Sequence, residues 1–295
     1  MRWYLMLSIW LSGCSAVKTH RVWLGRKAQK QGFEKSTLNS GPHQISHWVA
    51  GDGPTVLLIH GFGGNGLFTW WSQAKVLAET HRVIIPDLLW FGDSSSSAEP
   101  SLDAQAQAID ELVRHLVPRG QKVHVAGISY GGLVALRYGS LAPTQQAKLI
   151  MVDSPGPLFT AQDEQAMLQR YEAEQTEDLF VPTSIESVRT LVRLAYHKPP
   201  PLPKFLLKDL KANVFAQHQA EQRALLADLK SNRSHYKKNQ PASYDDVLVI
   251  WGEYDRVFPL DIGKQLAEHM GAELFVIENT GHAPILEKPH AINKK

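Results

Sequence analysis

The chain predicts a doubly wound, mostly parallel α/β sheet with an inserted helical cap, and three observations predict it. Apolar runs of strand length alternate with segments of helical period, the pattern that wraps helices around a parallel sheet. One such run, Val123-His124-Val125-Ala126-Gly127-Ile128, passes through Ser129-Tyr130-Gly131-Gly132 directly into the helical segment Leu133 to Tyr138. From about Pro157 to Ser243 the strand signal stops for longer than a loop in a compact domain allows, and then the sheet pattern resumes.

Taken from the amino end, residues 1–17 have the outline of a secretion signal: a positive charge at Arg2, an apolar core, then small residues. That core is shorter than the roughly 20 residues a membrane-spanning helix needs. Leu11-Ser12-Gly13-Cys14 resembles the lipobox of bacterial lipoproteins. The resemblance implies export to the cell envelope, cleavage before Cys14 and a diacylglyceryl group on its thiol, so that the membrane surface is a partner. Because Ser15 rather than an aspartate follows, it also implies the outer membrane. An ordinary signal cleaved near Ala16 is the alternative and would release a soluble protein. Cys14 is the single cysteine, so no intrachain disulfide and no cysteine-based zinc site can form. Residues 18–32 are a basic leader, with Lys18, His20, Arg21, Arg26, Lys27 and Lys30 around Val22-Trp23-Leu24. A short amphipathic helix there would lie on anionic head groups or pack on the domain.

The first part of the core spans residues 33–156. Strands near Phe33 to Asn39 and His43 to Ala50 flank the turn signal Ser40-Gly41-Pro42 and predict a hairpin. Thr55-Val56-Leu57-Leu58-Ile59 is continuously apolar, as a strand covered on both faces requires. The glycine-rich His60-Gly61-Phe62-Gly63-Gly64 follows it, a loop in which backbone N–H groups can approach a ligand. It lacks the Gly-Lys-Ser/Thr ending of a nucleotide loop. Further on, Gln73 to Glu79 reads as helix, Arg82 to Pro86 as strand and Leu102 to Val117 as an amphipathic helix with Ala106, Ile109, Leu112, Val113 and Leu116 on one stripe. Lys148 to Val152 is the sixth strand and ends at Asp153.

The cap, residues 157–243, follows that sixth strand. It reads as helices at Gln162 to Glu177, at Ile185 to Tyr196 opened by a capping box at Thr183 to Glu186, and at Lys204 to Asn213 and Gln219 to Lys230, with the prolines from Pro199 to Pro203 as a break. The second part of the core, residues 244–295, carries strands Asp246 to Ile250 and Glu273 to Ile277. The first leads into Gly252-Glu253-Tyr254-Asp255 and the second into Thr280-Gly281-His282. An acid and a histidine therefore stand just past two successive strand ends.

A serine on a strained turn between strand and helix has an exposed hydroxyl, and glycines on either side remove the side chains that would clash with it. Serine is a weak nucleophile unless a base takes its proton, which assigns His282 as that base and Asp255 as the group that orients it. The N–H groups of Phe62 and Tyr130 are the candidate oxyanion hole. Candidate substrate contacts are His60, Gly61, Phe159, Leu191, Phe205 and Phe258. Although the chain has 13 histidines, it has no His-Glu-x-x-His pattern, and the chemistry calls for no metal or cofactor. With 43% hydrophobic residues and a net charge of +2, the chain is globular and gives no sign of a nucleic-acid partner.

These stretches, from about Phe33 to the end, resemble the α/β-hydrolase fold family: the His60-Gly61-Phe62-Gly63 loop, the Gly127 to Gly132 turn, the Asp255 turn and the Gly281-His282 turn, in the family's order of serine, acid and histidine. The His60 to Gly64 and Pro86 to Gly92 loops are similar to those of bacterial lipases and esterases related to membrane-bound monoacylglycerol lipases. The resemblance implies a serine hydrolase of small acyl esters, monoacylglycerols included, working through an acyl-enzyme. Carbon–carbon bond hydrolases and acyl methyl esterases share the fold and stay open at this point, as does a lipid-anchored binding protein on a hydrolase fold. The family closes with a full helix after the histidine turn, whereas Ala291 to Lys295 offers barely a turn.

Overall fold

The structure, a computed structural model, describes residues 15–143, 145–241 and 246–295. The chain runs α1 (Ala16–Gln29), β1 (Glu34–Ser40), β2 (His43–Ala50), β3 (Thr55–Ile59), α2 (Gly66–Leu77), β4 (Arg82–Pro86), β5 (Ser95–Ser96), α3 (Leu102–Leu116), β6 (Val123–Ile128), α4 (Tyr130–Leu141) and β7 (Gln146–Val152). Helices α5 (Ala161–Arg170), α6 (Thr176–Phe180), α7 (Ile185–Ala195), α8 (Lys204–Asn213), α9 (Gln219–Ser231) and α10 (Arg233–Lys238) intervene. Then β8 (Val247–Gly252), α11 (Leu260–Met270), β9 (Glu273–Ile277), α12 (Pro284–Glu287) and α13 (Pro289–Ile292) close the fold.

The strands form one sheet in the order β1-β2-β4-β3-β6-β7-β8-β9, with β5 paired to β2. The β1–β2 hairpin and the β2–β4 pairing are antiparallel; every pairing from β4 across to β9 is parallel. All five residues of β3 are buried, which is what helices on both faces of a parallel strand produce. On one face Leu24 of α1, Trp70 and Trp71 of α2, Ile285 and Ile292 form one core. On the other, α3, α4 and α11 supply Ile109, Leu112, Val134, Tyr138 and Leu266. Helix α3 begins where the Ser101 side chain accepts the Ala104 N–H and ends at Val117, and its buried stripe includes Ile109, Leu112 and Val113. Burying a leucine such as Leu112 contributes about 1.5–3 kcal/mol.

Several elements differ from the sequence expectation for identifiable reasons. The two-residue β5 makes the helical insertion follow the seventh strand rather than the sixth. The helix expected over Gln162 to Glu177 is two, because the chain turns left-handed at Glu172 (φ 52°) and restarts at Thr176. The capping box before α7 uses Ser184 and Ser187 rather than Thr183 and Glu186. Helix α2 starts at Gly66, well before Gln73, since the Asn65 side chain caps the Phe68 N–H. Helix α10 was not expected. At the carboxyl end two short helices bury Ile285 and Ile292, and Asn293 donates to the Ser72 carbonyl, so the short end still packs. The basic leader packs on the domain: Leu24 and Ala28 are buried, and the Val17 N–H donates to Asp209 on α8 at 2.8 Å. Cys14 and the rest of the signal-like segment lie outside the described residues.

Candidate active site

Ser129 stands between β6 and α4 with φ 53° and ψ −122°, a left-handed conformation that costs a non-glycine residue strain. The surroundings hold it there. Its N–H donates to the Val152 carbonyl at 2.9 Å, tying the turn to β7. A Cβ on Gly127 would run into the Gly131 backbone, and one on Gly131 into the carbonyls of Ile59 and His60. These two glycines therefore let β6, α4 and the end of β3 converge.

His282, on the turn after β9, places Nε2 at 2.9 Å from Ser129 Oγ. Its Nδ1 donates to Asp255 Oδ2 at 2.8 Å. The other oxygen of Asp255 accepts the N–H groups of Val257 and Phe258 at 2.7 and 3.0 Å, so the carboxylate cannot swing away from the imidazole. Glu287 holds the histidine turn: its carboxylate accepts the Gly281 N–H at 2.6 Å and, across the gap to the cap, the His197 N–H at 3.1 Å. Sequence reasoning missed Glu287, whose only signal was its place on the helical turn just after Gly281-His282.

The His60 to Gly64 loop lies against this turn, and a Cβ on Gly61 would sit 3.3 Å from Ser129 Cβ. His60 is fully buried and braces the loop rather than facing the cleft. Its Nε2 accepts the Leu88 N–H at 2.9 Å, so its proton sits on Nδ1, which donates to the Gly61 carbonyl at 2.7 Å. Burial pushes its pKa below the ordinary value, consistent with the neutral ring that this pattern demands.

A cleft with a cavity volume of about 140 Å³ opens above Ser129. Phe62, Tyr130, Phe159 and Phe258 line it near the serine; Phe62 packs edge-on against Tyr130 and Phe159 against Phe258. Leu191 and Phe205 are not among its walls. Phe205 is 61% exposed on α8.

Asp153, at the end of β7, is wholly buried. Burial, and then the charge of neighbouring Asp255, push its pKa well above its ordinary value, which favours the neutral form. Asp153, Asp255 and His282 are the cluster of described residues with the spacing of a metal site. Its donor atoms are committed elsewhere: both nitrogens of His282, both oxygens of Asp255 and, on Asp153, the oxygen that takes the Gly252 N–H.

The chain is 31% identical to lipase 1 of Psychrobacter immobilis, over 96% of this chain and 90% of that one. It is 25% identical to monoacylglycerol lipase ABHD6 of Bos taurus, over 83% of this chain and 74% of that one. The crystal structure of lip1 from Acinetobacter baumannii AYE superposes with a TM-score of 0.78 at 25% identity, covering 93% of each chain. The sequence profile described as alpha/beta hydrolase fold matches residues 54–289, and the chain belongs to that family.

Proposed function

We propose that the protein is a serine carboxylic-ester hydrolase that works through an acyl-enzyme. The observation that carries this reading is the continuous relay from Ser129 Oγ to His282 to Asp255, 2.9 and 2.8 Å long, at the floor of an apolar cleft. His282 Nε2 takes the Ser129 proton as Oγ bonds to the ester carbonyl carbon, and Asp255 stabilises the imidazolium. The N–H groups of Phe62 and Tyr130 are assigned to stabilise the resulting oxyanion; one such donor is worth roughly 10²–10³ in rate. Collapse breaks the bond to the alcohol, which leaves with the proton from His282. Water then repeats the sequence and releases the acid. The aromatic and leucine walls suit a single acyl chain, and the relatives named as lipases and a monoacylglycerol lipase support acyl esters, monoacylglycerols included, as substrates. Residues 157–243 act as the cap that selects the substrate and excludes water.

Ser129→Ala tests the reading. It removes one hydroxyl and no core packing, so p-nitrophenyl ester hydrolysis should vanish while the melting temperature holds. Undiminished turnover, or turnover by the wild type of a vinylogous diketone and of no ester, would overturn it. A lipid on Cys14 would hold the protein at the membrane where such esters partition. Mass spectrometry of the mature amino terminus checks this, and an unmodified start beyond Cys14 would remove the anchor.

A further inference from the structure

The walls of the cleft change character along its length. On α4, Leu133 and Leu136 give way to Arg137, which lies eight residues beyond Ser129 and so about 12 Å along the helix at 1.5 Å per residue. Across from it, α9 and α10 present one stripe with helical spacing: Leu226 and Leu229, then Lys230, Arg233 and Lys237. The two walls reach their cations at the same end. The Asn239 carbonyl just past α10 accepts from Arg137 Nη1 at 3.4 Å and from Ser140 Oγ at 2.8 Å, both on the part of α4 remote from Ser129.

Counter-ions take up part of that charge. Arg137 pairs with Asp103 and Arg233 with Glu164, each at 2.5 Å. Asp228 is turned to the Leu102 N–H and the Tyr236 hydroxyl. Lys230 and Lys237 make no ion pair within 4 Å among the described residues. Even with Asp103 and Asp228 counted beside Glu164, the far end keeps more cations than carboxylates, and the two guanidinium groups are held in place by their partners.

We propose that the cleft takes an ester whose aliphatic chain ends in an anionic group, a carboxylate or a phosphate, with the reacting carbonyl at Ser129 and the anion among Arg137, Lys230, Arg233 and Lys237. This rests on the ester-hydrolase reading and narrows its substrate class. Leucine walls of fixed length hold the methylenes, and the exposed Lys230 and Lys237 beside the two paired arginines add a charge-assisted contact that a plain acyl chain cannot make.

Two measurements test it. The first compares kcat/KM for p-nitrophenyl octanoate and for the p-nitrophenyl monoesters of octanedioic and decanedioic acids, in the wild type and in the Lys230→Glu/Lys237→Glu variant. The wild type should favour the anionic esters about tenfold, mainly through KM, as a charge-assisted contact allows. The variant should reverse that ratio, and added salt should flatten it in the wild type. Equal constants for the three esters, or a ratio the variant leaves intact, would overturn the proposal while leaving ester hydrolysis in place. The second measurement is binding of monododecyl phosphate, dodecanedioate and dodecanol to Ser129→Ala by calorimetry, which needs no turnover. Tighter binding of either anion than of the alcohol, lost in the charge-reversed variant, supports the site and shows which anion it prefers. Such binding in a wild type that hydrolyses no ester would sink the ester reading alone; indifference to charge would sink the site.

Discussion

Asp153 and Asp255 leave neighbouring parallel strands, yet their carboxyl groups share one buried space, with ligand atoms of both and of His282 within 4.8 Å of one another. Only one of the two can be charged there at moderate cost. Asp255 is the better supported by hydrogen bonds: it accepts two backbone N–H groups and the imidazole N–H, whereas Asp153 accepts the Gly252 N–H alone through Oδ1. Asp255→Asn should therefore lower kcat by about 10⁴, and Asp153→Asn, which keeps shape and neutrality, by less than about tenfold. The opposite ranking would move the acid to β7.

The same pair gives a stability signature. Unfolded, Asp153 ionises near its ordinary value of 3.8; folded, it keeps its proton to a higher pH. The folded chain thus binds the extra proton, and stability falls as pH rises from 3.8 towards the folded value. Asp153→Asn lacks that loss, so its melting temperature relative to wild type should climb as pH is raised from about 4 to 8. A flat difference would mean that Asp153 is ionised in the fold.

His60 carries the reverse sign. Below the ordinary value of 6.5 the unfolded side chain takes up a proton that the buried ring refuses. Its contribution is fully present above that pH and fades below it. His60→Ala, losing a buried ring and two hydrogen bonds, should cost about 3 kcal/mol at alkaline pH by urea unfolding, and the gap to wild type should narrow at about pH 5. Hydrolysis should fall as well, since the Gly61–Phe62 peptide loses its brace.

At the turn below the serine, Gly127→Ala adds a methyl where the Gly131 backbone already lies. The expected cost is about 3 kcal/mol, with ester hydrolysis lost because Ser129 is displaced. Thermal melting read beside activity checks both.

Glu287→Gln leaves one carbonyl oxygen to serve two N–H donors. The expected outcome is a drop in kcat of about tenfold with KM little changed, because the turn that aims His282 loosens while the cleft walls stay. A change confined to KM would place Glu287 with the substrate instead.

The sheet and the serine turn were legible because each rests on short-range pattern: the apolar run of β3, the glycines around Ser129, and the glycine turns carrying Asp255 and His282. What escaped depends on contacts distant in sequence. Nothing local distinguishes Ser184 from Thr183 as a cap, and Leu191 and Phe205 read as pocket residues only until the direction of α7 and α8 is fixed. The raised pKa of Asp153 follows from burial beside Asp255, which no spacing in the chain encodes. Helix α10 went unseen because Arg233 to Lys238 is nearly all polar, so no apolar stripe announces it.

Glu287 grips the catalytic turn with one oxygen and the cap with the other. The two contacts couple the parts of the molecule: lifting the cap, and His197 with it, would break one of the two bonds of the carboxylate that steadies Gly281, one residue before the imidazole. A cap raised to admit a substrate would leave that carboxylate with one of its two anchors and the His282 turn with less support.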